Sequence, residues 1–268
     1  MLKKRILLLL SVYALILISV YARQCYLRAH PARSTGQEVR IQLRRGPFTV
    51  FKFAPSSRTP LAMVLFRSGD GGWGPWEDTV AQALRRGGYE VIGIDSADYA
   101  KTDYDLSTLE ADSNAIAAAA LAPFGKNPPP LILGGWSMGA GQAIAIAGGP
   151  NPPRTVGLLL ASPLSRGRYG LRLSDQLNIL PRGPGTFAVE NFAHRLRDLR
   201  IVQWHGGDDW IDSRAWLKDL TADHREYDLP HGGHTYAGAS PEFLQQFVAS
   251  AGWIIRPNDP PRNLIGEK

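Results

Sequence analysis

A short apolar run that breaks into a glycine-flanked serine leaves a chain few ways to fold. Here Pro128-Pro129-Pro130 leads into Leu131-Ile132-Leu133, and Gly135-Trp136-Ser137-Met138-Gly139 follows before a small-residue stretch ending at Ala147. The apolar run after a proline stop predicts a buried strand, and the alanine- and glycine-rich stretch predicts a helix packed close against it. Gly135 and Gly139 remove side chains that would collide in the turn between the two, and Gly141, Ala143 and Ala145 let the helix approach the sheet. The pentapeptide alone says little, because a chain with 28 glycines supplies one by chance in about one case in six. Its placement says more: a serine held on a sharp strand-to-helix turn exposes its hydroxyl as a nucleophile. A serine serving only as a helix N-cap would not need the flanking glycines.

The rest of the chain repeats the alternation. Strands are expected at 39–44 and 48–53, an antiparallel pair around Gly46-Pro47, then at 61–66, 89–94, 131–134, 156–161, 201–205 and 225–229. Helices are expected at 76–86, 107–121, 138–147, 213–221 and 241–253, with Ser107 as N-cap and Glu110 three residues on in capping-box spacing. Strands alternating with helices of this length define an α/β domain with a mostly parallel, doubly wound sheet, spanning 39–255. The segment 162–198, rich in Gly, Pro and Arg, is a short insertion expected to cap the site, and 256–268, with its prolines, a mobile tail.

The N-terminus reads as an address. Lys3-Lys4-Arg5 precedes an apolar stretch to Ala22, so 1–22 is expected to be a signal peptide or membrane anchor, followed by a polar linker over 23–38. Basic residues before the apolar stretch would leave the domain outside the inner membrane, soluble in the periplasm after cleavage or anchored. Gln24 before Cys25 is not the small residue a lipid-attachment site needs, and a single cysteine excludes an intramolecular disulfide. Those three N-terminal cations supply half of the formal net charge of +6. The remaining domain is only mildly basic and has no basic stripe with interleaved aromatics, which argues against nucleic-acid binding.

A serine hydroxyl needs a base and an orienting carboxylate, which in an α/β-hydrolase fold follow in the order Ser, Asp, His. The strand at 201–205 runs into Gly206-Gly207-Asp208-Asp209-Trp210-Ile211-Asp212. The acid of this fold commonly lies three residues past a glycine with an apolar residue two further on, a register that selects Asp209. Asp208 is the alternative, and Asp212 is expected to cap the next helix. For the base, Gly232-Gly233-His234 before the last helix selects His234, with His231 as alternative base or substrate-facing group, and His205 as a packed or loop-tethering residue. An oxyanion needs two donors: the N–H of Met138 and, from Arg67-Ser68-Gly69-Asp70-Gly71-Gly72-Trp73, the N–H of Asp70 with Gly71 as alternate. These glycines lack the Gly-Lys-Ser/Thr of a phosphate loop, and His231 and His234 lack metal-pair spacing, so no cofactor or metal is expected.

Ser68-Gly69-Asp70-Gly71-Gly72-Trp73, the stretch Gly88-Tyr89-Glu90-Val91-Ile92-Gly93-Ile94-Asp95-Ser96 with Tyr99, the serine elbow and the Gly-Gly-His together resemble the bacterial VirJ/AcvB virulence-protein family of α/β-hydrolases. The chain departs from it at Ala100-Lys101, where aromatic residues usually follow the tyrosine. The resemblance implies an exported enzyme that hydrolyses aminoacyl-phosphatidylglycerol and frees the amino acid from the lipid. Asp70, Asp95 and Asp98 are expected to cluster at carboxyl ends of strands, where ligands of open α/β sheets bind, and such carboxylates, Asp95 and Asp98 above all, are then candidates to hold the ammonium of such a substrate. These two have a second reading, as aspartates that satisfy loop donors. Two other functions compete: a general lipase or esterase for uncharged acyl esters, and a noncatalytic secretion or assembly partner on a hydrolase scaffold. Protein partners are not specified by the sequence.

Overall fold

In the computed structural model the described residues are Ser11, Tyr13, 34–176 and 179–255. The expected signal or anchor and the tail therefore lie outside them, apart from two positions, and so does most of the linker. The first 33 residues form one unit and Ser34–Lys268 a second, which contains the sheet. Among the described residues no helix is long and apolar enough to cross a membrane.

Eight strands make the main sheet: β1 (Gln37–Leu43), β2 (Gly46–Phe53), β3 (Met63–Arg67), β4 (Glu90–Ile94), β5 (Leu131–Trp136), β6 (Gly157–Ala161), and, after a two-stranded ribbon of β7 (Arg166–Arg168) and β8 (Thr186–Ala188), β9 (Arg200–Gly206) and β10 (Asp223–Leu229). Their order is β1-β2-β4-β3-β5-β6-β9-β10. β1 pairs with β2, and β2 with β4, antiparallel; every pairing from β4 to β10 is parallel. β1 begins at Gln37, two residues inside the expected linker, because its pairing with Lys52 satisfies the backbone there.

β3, β4, β5 and β6 are buried along their whole length or nearly so, as strands covered on both faces must be. Alternate residues feed two cores. Met63, Leu65, Leu131 and Leu133 face one layer with Ile116 of α2 (Leu106–Leu121, numbered after α1) and Ile144 of α3 (Met138–Ala147). Val64, Phe66 and Ile132 face the other with Leu84 of α1 (Pro75–Arg86) and Phe247 of α4 (Pro241–Ile255). The chain winds from β3 to β4 on one side and returns to β5 on the other, so a topological switch point opens between the carboxyl ends of β3 and β5. Crevices at such points are where open α/β sheets bind ligands.

Three local expectations need correction. α2 starts one residue early, with Asp105 rather than Ser107 as N-cap; its carboxylate accepts from Thr108 N–H at 2.7 Å, and Glu110 instead accepts from Asn151 N–H at 2.8 Å. The helix expected at 213–221 is a five-residue 3-10 segment, Ala215–Asp219, pinned by Trp216 Nε1 donating to buried Gln203. Gly141 does not mediate helix–sheet approach: a Cβ there would meet nothing within 4 Å.

Gly139 is the opposite case, since its Cβ would lie 2.3 Å from Arg67 O and 2.5 Å from Ser68 O, both backbone atoms. Gly139→Ala is expected to lower the thermal unfolding midpoint, by the equivalent of about 1–3 kcal/mol for an overpacked site, while Gly141→Ala raises it, by the equivalent of about 0.5–1 kcal/mol for alanine replacing glycine in a helix interior. An unchanged midpoint in Gly139→Ala would show that the contact yields freely.

Candidate active site

The turn between β5 and α3 is a strained elbow. Ser137 has φ 54° and ψ −117°, in the left-handed half of backbone space that a serine seldom occupies. Its N–H donates to Ala161 O at 2.9 Å, fixing the turn to the end of β6. A Cβ on Gly135 would press 2.5 Å from Gly139 C, so only glycine fits at both ends of the turn. The loop after β3 lies directly on this elbow: a Cβ on Gly69 would stand 3.0 Å from the Trp136 ring and 3.6 Å from Ser137 Cβ.

That loop is shaped from beneath by Glu77. Its Oε2 accepts from Gly74 N–H at 3.0 Å, the one half of a capping box that a glycine N-cap allows, and its Oε1 faces Gly69 N–H at 3.5 Å. Burial pushes the Glu77 carboxyl up to about 8 against the pull of these backbone donors. The residue before the predicted second donor is thus held by a buried, largely protonated acid. Proline at the first position of α1 and glutamate at the third were visible signals for this cap, though not for the grip on Gly69.

His234 and Asp209 are brought together, with His234 Nδ1 2.7 Å from Asp209 Oδ2. Burial works against the Asp209 carboxylate, but hydrogen bonds from His234 and Ile211 N–H, with the charge of His234, outweigh it and hold the group at about 2. Its other oxygen accepts from Ile211 N–H at 2.9 Å. Two indoles fix the base loop: Trp136 Nε1 donates to His234 O at 2.8 Å and Trp76 Nε1 to Thr235 O at 2.9 Å, their rings 4.7 Å apart. The Trp136 ring also lies 5.2 Å from the His234 ring, so the residue before Ser137 is in contact with the predicted base.

Asp208 takes no part in this pair; it is exposed and faces the equally exposed His231, Nδ1 to Oδ2 at 3.2 Å. Asp212 does not cap the next segment as expected. It is buried against His205 Nδ1, with Gln203 Nε2 3.4 Å from its other oxygen, which tethers the acid loop to β9.

Ser137, Met138 and Asp70 line one pocket, open to solvent and with a cavity volume of about 50 Å³, together with Gly141 and residues of the insertion. Leu164, Ile179, Leu180, Pro181 and Ile211 supply apolar wall, and Arg166, Arg168 and Asp175 supply charge. Arg168 and Asp175 form a half-buried ion pair at 3.1 Å. Burial raises the Asp70 carboxyl above the usual carboxylate range, its own N–H, the charge of His234 and Gly71 N–H opposing. The expected insertion is thus a wall of the pocket, built on the β7–β8 ribbon.

The predicted ammonium-holding residues require correction. Asp95 caps the one-turn segment Ser96–Tyr99 by accepting from Asp98 N–H at 2.9 Å, and Asp98 pairs with Lys101 on the surface. Neither lines the pocket, nor does His231. Asp175, Arg166 and Arg168 were missed because irregular chain carries no periodicity to place them, and Ser162 because no motif surrounds it. Among the described residues no group of three His, Cys, Asp or Glu is arranged to hold a metal.

The sheet order, the elbow and the capped crevice define the α/β-hydrolase fold, and solved structures share it. An esterase domain from Rhodothermus marinus superposes with a TM-score of 0.59 at 16% identity, covering 81% of this chain and 97% of that one. Est1E from Butyrivibrio proteoclasticus gives 0.60 at 14%, covering 82% and 99%. A soluble variant of monoglyceride lipase from Saccharomyces cerevisiae gives 0.61 at 15%, covering 87% and 99%. Residues 61–148, the stretch that carries the donor loop and the elbow, match the family described as "Bacterial virulence protein (VirJ)". No curated protein matches the sequence.

Two measurements test the site. Asp209→Asn is expected to lower turnover of an activated ester by about 10³–10⁴-fold, and Asp208→Asn to leave it within twofold or so of the parent; the reverse ranking would reassign the acid. The raised Glu77 carboxyl stays protonated in the folded state where the unfolded chain has released its proton. Stability attributable to it is therefore complete below the ordinary pKa of 4.5 and lost as pH rises through about 8. Glu77→Gln should gain on the parent in denaturation midpoint between pH 5 and 9; a constant difference would rule out the buried neutral acid.

Proposed function

We propose that the protein is a carboxylic-ester hydrolase acting through an acyl-enzyme on Ser137. His234 takes the serine proton as Oγ attacks the ester carbonyl, and the Asp209 carboxylate orients the imidazole and balances its charge. Backbone N–H groups of Met138 and Asp70 receive the negative charge that develops on the carbonyl oxygen. His234 then returns the proton to the departing alcohol, and a water, activated the same way, releases the acid. The observation that carries this reading is the shared pocket of Ser137, Met138 and Asp70 beside a hydrogen-bonded Asp209–His234 pair.

The preferred substrate is an aminoacyl phospholipid, aminoacyl-phosphatidylglycerol, cleaved on the periplasmic face of the inner membrane. The pocket's chemistry supports an ester carrying both signs of charge. Asp70 and Asp175 suit an ammonium group, Arg166 and Arg168 suit a phosphate, and the apolar wall suits the lipid stem. An ammonium beside Asp70 would favour its ionised form against the burial that raises it. The apolar lining also favours a second reading, an esterase for uncharged acyl groups.

A fluorophosphonate probe is expected to label the parent and not Ser137→Ala; labelling that survives the substitution sinks the hydrolase. Alanyl- and lysyl-phosphatidylglycerol should be cleaved faster than a neutral acyl ester, and the advantage should shrink in Asp175→Asn. Equal rates for charged and neutral esters would leave the second reading.

A further inference from the structure

The chain just beyond His234 is strained. Tyr236, Ala237, Gly238 and Ala239 all have left-handed backbones, with φ of 52°, 49°, 74° and 64°. Three of the four are not glycine, and such a run persists only where side-chain contacts over-determine it. Those contacts converge on Tyr236, whose ring is buried and stacks on Phe243 with centroids 4.3 Å apart. Its hydroxyl donates to Trp204 O at 2.7 Å and stands 2.8 Å from Ser162 Oγ. Ser162, itself at φ 46° and fully buried, donates its N–H to the same Trp204 O at 3.1 Å. One carbonyl near the end of β9 thus gathers the base loop and the end of β6, five residues before Asp209.

The proton count of this cluster is informative. The phenol has one proton, spent on Trp204 O, so its oxygen accepts the Ser162 hydroxyl proton across the 2.8 Å between them. Trp204 O in turn receives two donors, the phenol and the Ser162 N–H. Tyr236 and Ser162 therefore form one closed hydrogen-bonded unit on the strand that leads into Asp209.

We propose that Tyr236 and Ser162 are positioning residues that hold the His234 loop in register with the strand leading into Asp209, through a phenol and a backbone N–H gathered on Trp204 O and a hydroxyl that joins the two. The assignment rests on the ester-hydrolase reading for its kinetic consequence and on the cluster's geometry for its structural one. Neither residue touches the ester; each acts through Asp209 and His234.

Tyr236→Phe keeps the stacked ring and removes only the hydroxyl, and Ser162→Gly removes a hydroxyl where glycine suits the backbone. With a soluble activated ester and the full chain, each is expected to lower kcat by about tenfold or more, in line with the sensitivity of catalysis to sub-ångström misplacement, while KM stays within about twofold. In an Asp209→Asn background Tyr236→Phe should cost little further, because its route of action is already cut. The low-field proton resonance of the His234 Nδ1–H···Asp209 bond should shift or broaden in Tyr236→Phe, a readout that needs no substrate. An unchanged kcat, a loss confined to KM, a full additional loss in the Asp209→Asn background, or an unmoved resonance would each overturn the proposal. A parent that labels with no fluorophosphonate and cleaves no ester would defeat the hydrolase reading instead, and the resonance would still decide whether the hydroxyl pair sets the register.

Discussion

The contact on which the rest of the site depends is between the first turn of α3 and the end of β3. Gly139 lies so near Arg67 O and Ser68 O that no side chain fits between. This closeness fixes two things together. It forces β5 to reverse into α3 through the single left-handed residue Ser137, and it lays the Ser68–Asp70 loop against the serine. Ser137 and the loop that carries Asp70 are thus positioned by one packing constraint, from two strands adjacent in the sheet but about 70 residues apart in the chain.

The His234 and Asp209 loops depend on polar satisfaction rather than close packing. The loop carrying His234 has little regular structure, and its carbonyls would be costly if buried without partners. Trp76 and Trp136, in ring contact, meet two successive carbonyls, and Tyr236 reaches Trp204 O. On the acid side, His205 and Asp212 bury a second pair that ties the same loop to β9. Each tether uses a donor on a rigid aromatic or imidazole ring, which loses little rotamer freedom in forming the bond. An irregular pair of loops thereby acquires the order that catalytic geometry demands.

How much of this was legible follows from the kind of signal each residue leaves. β3, β4, β5 and β6 were readable because strands buried on both faces are short apolar runs, and α3 because close approach requires glycine and alanine. Asp209 was selected from its distance to Gly206, a local register that a tight turn preserves, and the structure sets it against His234. Asp95 and Asp98 went astray because position at a strand end says nothing about which way a carboxylate faces; a one-turn helix claimed Asp95 as its cap. Ser107 lost to Asp105 because capping residues two apart compete and the carboxylate accepts more strongly. Ser162, Tyr236 and Asp175 left no signal, since each gains its role from a partner distant in sequence.

The charge in the pocket carries the greatest consequence for substrate choice. Arg168 and Asp175 already satisfy one another in a half-buried setting, so a neutral acyl chain entering beside them would desolvate the pair further and receive no polar contact in return. An ester bearing an ammonium and an anionic group exchanges partners instead: the ammonium shares Asp175 and the anion shares Arg168, with Arg166 as a second donor. Such an exchange costs least when the two charges of a ligand match the spacing of the pair. Under the proposed function, the pair that an uncharged ligand must work around would, for an ester bearing both charges, turn the carbonyl toward Ser137.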